Sequence, residues 1–114
     1  MERKIVREEE VAWGPHWSYP RVQTKLMLGK ADQPEFSVHR VRLEPGAEIS
    51  LHIHQPSAET FYIISGTGLC LSQGGEVPFG PGFLGLAPSG YVHGLRNNGT
   101  EPVELLAIFS PPTA

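Results

Sequence analysis

The sequence predicts an all-β chain folded as one domain, and three observations predict it. At 114 residues the chain is long enough to bury one hydrophobic core without cross-links. Its 13 glycines and 11 prolines recur at short intervals while 39% of the residues are hydrophobic, so the breaks read as turns in a compact fold rather than as disorder. Between the breaks lie short segments that alternate in polarity, the period of a strand, and none carries the spacing of a long helix.

Composition narrows the function classes. A net charge of −3 with no run of Lys or Arg argues against a nucleic-acid partner. The longest apolar runs, such as Leu105-Leu106-Ala107-Ile108-Phe109, are far short of a membrane span. Met1 to Glu10 has no apolar signal core, and the lone Cys70 permits no internal disulfide, so a cytoplasmic location is expected.

In chain order, Glu8-Glu9-Glu10 reads as a solvated face or turn. Trp13 to Pro20 is aromatic but broken by Gly and Pro, which suits a loop or edge segment laid over apolar surface, with His16 exposed or capping. Val22 to Leu28 is a strand, stopped by Gly29 and the polar turn at 30–34. Phe36 to Leu43 alternates, and the apolar end of one set turns Ser37, His39, Val41 and Leu43 inward, leaving Arg40 and Arg42 in solvent. His39 is then either a hydrogen-bonded interior histidine or a group that contacts substrate. Glu44-Pro45-Gly46 makes a tight turn.

Glu48 to His54 puts Glu48, Ser50, His52 and His54 on one face and Ile49, Leu51 and Ile53 on the other. Histidines at the last two polar positions suggest that the polar face is the interior, so the apolar face needs a cover. Glu59, Phe61 and Ile63 lie opposite Thr60, Tyr62 and Ile64, a strand apolar on both faces and therefore buried on both. Gly66-Thr67-Gly68, Gln73-Gly74-Gly75, Gly80-Pro81-Gly82 and Asn97-Asn98-Gly99-Thr100 are turns. Between them lie strands at Leu69 to Leu71, Phe83 to Leu86 and Val103 to Phe109. Cys70, flanked by no basic residue, reads as a small buried hydrophobe.

The chemistry concentrates in His52, His54 and Glu59. On a strand the two histidines share a face about 6.5 Å apart, and the Gln55-Pro56-Ser57-Ala58 bend can return Glu59 to the same point. His93 supplies a third imidazole from another strand. Three His and one Glu leave two positions of an octahedron free, and this donor mix suits Mn(II), Fe(II), Ni or Zn.

Gly46-x5-His52-x-His54-x4-Glu59-x6-Gly66 followed by Gly82-x5-Pro88-x-Gly90-x2-His93-x3-Asn97 resembles the two motifs of the cupin family at every fixed position. The resemblance implies a double-stranded β-helix, or jelly-roll barrel. It implies a single cupin domain over residues 1–114, with an N-terminal arm at 1–21, the barrel at 22–109 and a tail at 110–114. It also implies metal ligands at His52, His54, Glu59 and His93. Ala58 stands where some short cupins carry a ligating His, so the three-His-one-Glu set favours Mn(II) or Fe(II) as cofactor, with Zn or Ni as alternatives.

The expected function is a metal-dependent enzyme, of dioxygenase or Lewis-acid type, on a small oxygen-rich or carboxylated substrate. Isomerase or lyase chemistry and a non-catalytic small-molecule binding module are the alternatives. His39 and Tyr91 are the candidate catalytic groups, and Arg96 is a surface charge or a carboxylate partner. A homodimer is expected, because Ile49, Leu51, Ile53, Tyr62 and Ile64 need an outer cover that Trp13 and Trp17 would supply only in part.

Overall fold

The computed structural model describes residues 3–114. A 3-10 turn at Glu8–Glu10 precedes ten strands: β1 Gly14–Pro15, β2 Val22–Leu28, β3 Ser37–Leu43, β4 Glu48–His52, β5 Ala58–Ser65, β6 Gly68–Ser72, β7 Gly75–Phe79, β8 Leu84–Ala87, β9 His93–Arg96 and β10 Val103–Ser110. They form a six-stranded sheet in the order β1-β2-β3-β10-β5-β8 and a four-stranded sheet in the order β4-β9-β6-β7, with every pairing antiparallel. This is the all-β jelly roll that the sequence predicts.

The register of the central strands explains why one end is solid and the other hollow. Across β3, β10 and β5 the inward rows run Leu43 with Val103, then Val41 with Leu105 and Ile63, then His39 with Ala107 and Phe61, then Ser37 with Phe109 and Glu59. The first two rows, with Val22, Phe79 and Leu95, make the apolar core. Leu43, Ile63, Leu105 and Val103 are each at most 1% exposed, and such burial stabilises by about 1.5–3 kcal/mol per side chain. In the third row Ala107 is too small to reach across the barrel, and the fourth row is partly polar. A cavity opens there.

Asn97 ties the two sequence blocks together. Fully buried, it donates through Nδ2 to Leu43 O and Glu101 O, at 3.0 and 2.8 Å, and accepts from Gly99 N–H at 2.9 Å. Gly66 is fixed by its surroundings: φ is +87°, and a Cβ there would lie 2.4 Å from Pro102 O.

Three sequence expectations are corrected or extended. Arg40 is not in solvent but buried. Its side chain does leave the outer face of the sheet, yet the N-terminal arm roofs it. Glu8 and Glu104 pair with the guanidinium, its Nε donates to Leu105 O at 3.1 Å, and Trp13 lies 5.5 Å from it. Lys25, also buried, takes Glu8 at 3.3 Å and lies 4.6 Å from the Trp13 ring.

Ile49 does not join the outer face. A bulge between Ile49 and His52 inserts one residue against β9, so that Ile49 opposes Leu95 and His52 opposes His93. Both therefore face inward, and Ile49 packs on the core while Leu51 and Ile53 stay about half exposed. The extra backbone presses on Gly94, where a Cβ would stand 2.4 Å from Ile49 O.

The segment Gly75–Phe79, not foreseen as a strand, pairs with β6 in a hairpin around Gln73-Gly74. It can hold Pro78 because it lies at the sheet edge.

Candidate metal centre

His52 ends β4, His93 begins β9, Glu59 is the second residue of β5, and His54 follows β4 in an irregular segment. The His52–His93 pairing across the four-stranded sheet sets two imidazoles side by side, with ring centroids 4.4 Å apart. Glu59 reaches them from the opposite sheet, so the site bridges the two layers. Gly90 N–H donates to His54 O at 2.8 Å and fixes the backbone just beyond the strand.

The four predicted ligands converge: one donor atom from each of His52, His54, Glu59 and His93 lies within 4.8 Å of all the others. An ion about 2.1 Å from each donor spaces octahedral donors by about 3.0 to 4.2 Å, so this cluster matches one ion after small side-chain adjustment. Glu59 Oε1 is 2.9 Å from His93 Nε2 and 3.5 Å from His54 Nε2, and the Nε2 atoms of His52 and His54 are 3.0 Å apart. Two of the three outer nitrogens are anchored. His52 Nδ1–H donates to Ser50 O at 2.7 Å, and His93 Nδ1–H donates to Tyr91 O at 2.9 Å. Each bond places the lone pair on Nε2, aimed at the cluster, which is how metal-ligating histidines are oriented.

The electrostatics suit cation binding. Burial pushes the Glu59 carboxyl up, but hydrogen bonds from His54 and His93 and their charges outweigh it, so Glu59 is held below the usual carboxylate range. Burial lowers His52, whose neutral form is the one that ligates. For His93 burial acts downward, yet the bonds to Glu59 and to Tyr91 O, with the Glu59 charge, carry it above the ordinary value.

The centre opens into a cavity of about 650 Å³. His39 lines it, as the sequence predicts. Its Nε2 lies 2.9 Å from Ser37 Oγ and 3.3 Å from Thr113 Oγ1, and its ring meets Phe109 edge-on at 5.2 Å. Phe109 in turn lies 4.9 Å from His54, so its ring packs against both His39 and a member of the centre. Burial lowers the His39 pKa, against a smaller pull from Glu59.

Tyr91 is half exposed and does not line the cavity; its carbonyl, not its hydroxyl, meets the centre. Arg96 pairs with Glu48 at 2.8 Å and Glu76 at 2.9 Å on the outer surface. The mouth carries residues that the sequence reading left out of the site, His16, Trp17 and Tyr19. The clustering of aromatics between Trp13 and Tyr19 was the signal that could have found them.

Comparison with known proteins agrees with this geometry. The cupin domain family matches residues 39–109, from His39 through all four clustered groups to Phe109. An oxalate-binding protein of Thermotoga maritima is 35% identical over 70 residues, 61% of this chain and 58% of that protein. The match thus spans a little over half of that relative's length. Among solved structures, a predicted oxalate decarboxylase from Thermotoga maritima superposes with a TM-score of 0.84 at 25% identity, covering 95% of this chain and 99% of that one. A polyketide cyclase from Streptomyces resistomycificus superposes with a TM-score of 0.86 at 18% identity, covering 96% and 80%, a likeness of fold alone. With the family's domain matched over more than half of the chain and three histidines and a glutamate gathered inside a jelly roll, the chain belongs to the cupin family.

Proposed function

We propose that the chain is a metal-dependent enzyme that binds one divalent cation, Mn(II) or Fe(II) in preference to Zn or Ni, through His52, His54, Glu59 and His93. The observation that carries this reading is the convergence of four donors, with the imidazoles of His52 and His93 oriented by backbone carbonyls. A carboxylate among the ligands makes the centre harder than an all-imidazole one, hence the preference. The bound ion would supply Lewis acidity and sites for oxygen ligands.

The substrate is a small molecule that brings an oxygen pair, from a carboxylate, diol or enolised carbonyl, to the centre. The relative named for oxalate binding supports such a head group. His39 is the proton-handling group on the chain's own side. Burial keeps it neutral near neutral pH, and Ser37 and Thr113 hold its Nε2 while Nδ1 remains for exchange with a ligand. Dioxygenase-type chemistry comes first, isomerase or lyase chemistry second. Oxygen uptake by the Mn(II)- or Fe(II)-loaded protein across candidate diols and acids separates them, and His39→Asn should slow turnover more than it weakens binding.

A non-catalytic binding module is the second reading. It is favoured by the scarcity of titratable side chains in the cavity, where among the described residues only His16, Tyr19 and His39 accompany the four clustered residues. Saturable ligand binding with no conversion under any condition above would establish it.

We also propose that a second copy covers the outer face near β8. Tyr62, Ile64, Leu84 and Leu86 are 44 to 69% exposed there, with Tyr62 directly opposite Leu84. Trp13 is engaged over Lys25 and Trp17 is 92% exposed, so neither covers this patch. A monomer in sedimentation equilibrium would overturn the dimer.

A further inference from the structure

We propose that the cavity's ligand has an uncharged, ring-bearing apolar body, which reaches from an oxygen pair at the four-residue centre to Trp17 at the mouth. The proposal rests on the reading that the centre holds a divalent ion, and it concerns the part of the ligand that the ion does not touch.

Size comes first. About 650 Å³ accommodates a drug-sized molecule, whereas a ligand as small as oxalate would occupy only the metal end.

Charge comes second. Among the described residues, no Lys or Arg lines the cavity, and Glu59 is its only carboxylate side chain. The basic residues on the barrel strands are engaged elsewhere: Arg40 and Lys25 beneath the arm, Arg42 with Glu44 and Glu104, and Arg96 on the outer surface. A second carboxylate or a phosphate on the ligand, remote from the centre, would therefore be desolvated with no counter-charge, which is costly. A polyhydroxyl body fares little better, because most of the lining is apolar, with Leu26, Val41, Ile49, Phe61 and Phe109 against the few polar side chains of Thr24, His39 and Thr113.

The mouth comes third. Trp17 lines the cavity yet is 92% exposed, an indole left almost wholly in water. Its position is prepared. His16 stacks on it with centroids 5.6 Å apart, and His16 Nδ1 accepts from Ser18 N–H and Tyr19 N–H at 3.0 and 3.2 Å. A ring on the ligand that covered this indole would bury apolar surface on both partners and add an aromatic contact.

The test uses two chelators with the same diketone head, acetylacetone and benzoylacetone, which differ by a phenyl in place of a methyl, with oxalate as a compact dianion. Mn(II) uptake by the full chain is first measured calorimetrically. Each probe is then titrated into the Mn(II)-loaded protein, followed by calorimetry and by tryptophan fluorescence, the latter also in Trp13→Phe so that Trp17 is the only reporter. Benzoylacetone should bind at least about tenfold tighter than acetylacetone, the lower end of what burying a phenyl ring is worth. It should also bind tighter than oxalate and perturb Trp17 emission, and Trp17→Ala should remove most of the phenyl advantage. Equal affinity for the two diketones, a preference for oxalate, or saturating benzoylacetone with unchanged Trp17 emission would overturn the proposal while leaving the metal reading intact. Absence of saturable Mn(II) uptake would remove the metal reading, and this proposal with it.

Discussion

Glu59 and His93 belong to opposite sheets, yet Glu59 Oε1 lies 2.9 Å from His93 Nε2. The contact joins the two layers at the mouth end of the barrel, with Nε2–H donating to the carboxylate, and it occupies the same two atoms that an ion would use. Burial works against a charged His93, but the glutamate and the Tyr91 carbonyl outweigh it and raise its pKa above the ordinary 6.5. A metal must displace the imidazolium proton, so affinity for Mn(II) should climb with pH through the raised His93 pKa, above 6.5, and then level off. Glu59→Gln should bring the His93 pKa of chelator-treated protein down, as read from imidazole proton shifts by NMR. An unmoved His93 titration would mean that the pair does not set it.

His39 shifts the other way. Burial lowers its pKa below 6.5, so between that folded value and 6.5 the unfolded chain binds more protons than the native one. Its contribution to stability is therefore present at higher pH and is lost as pH falls through 6.5 towards the folded value. Urea unfolding of chelator-treated protein at several pH values should show this slope, and it should be smaller in His39→Asn. Slopes that match in both proteins would show that His39 is not the group responsible.

Gly94 makes room for the β4 bulge between Ile49 and His52. An alanine there would set its Cβ 2.4 Å from Ile49 O, which must move the β4 backbone just ahead of the ligand. Gly94→Ala should weaken Mn(II) binding by about tenfold or more, the range produced by disturbing the support of a ligand. Unchanged affinity in a folded variant would mean that His52 does not depend on this bulge.

Much of the centre was legible because ligand spacing is local. His52, His54 and Glu59 lie within eight consecutive positions, and His93 stands in a second block of recognisable turns. Two other residues were misplaced by reading strands one at a time. That reading sent Ile49 outward because one inserted residue in β4 changes the face of everything before it, and no residue type announces a bulge. It sent Arg40 to solvent because the partner that buries it, Glu8, is 32 residues away in the arm. The mouth was missed for a similar reason: Trp17 and His16 become cavity residues only once β1 pairs with β2 and brings their loop to the barrel.

That arm contact has its own consequence. Glu8 is the shared partner of Lys25 and Arg40, whose side chains are only 6 and 8% exposed, while Glu8 itself is 40% exposed. Glu8→Ala leaves two buried cations short of a counter-charge. It should cost about 1–3 kcal/mol in denaturant unfolding, below the full cost for a wholly buried pair because Glu8 is partly in water. A loss under about 0.5 kcal/mol, the size expected of a neutral surface change, would show that the arm does not roof these residues in solution.

The most direct measurement is calorimetric titration of chelator-treated protein with Mn(II), repeated with Fe(II), Ni(II) and Zn(II), in the native chain and in His52→Ala and Glu59→Gln. One saturable site per chain is expected, formed by His52, His54, Glu59 and His93, with affinity reduced at least about a hundredfold in either folded variant, as removal of a ligand rather than of its support requires. Saturable binding that survives both substitutions, or no saturable binding of any of the four ions to the native chain, would contradict it.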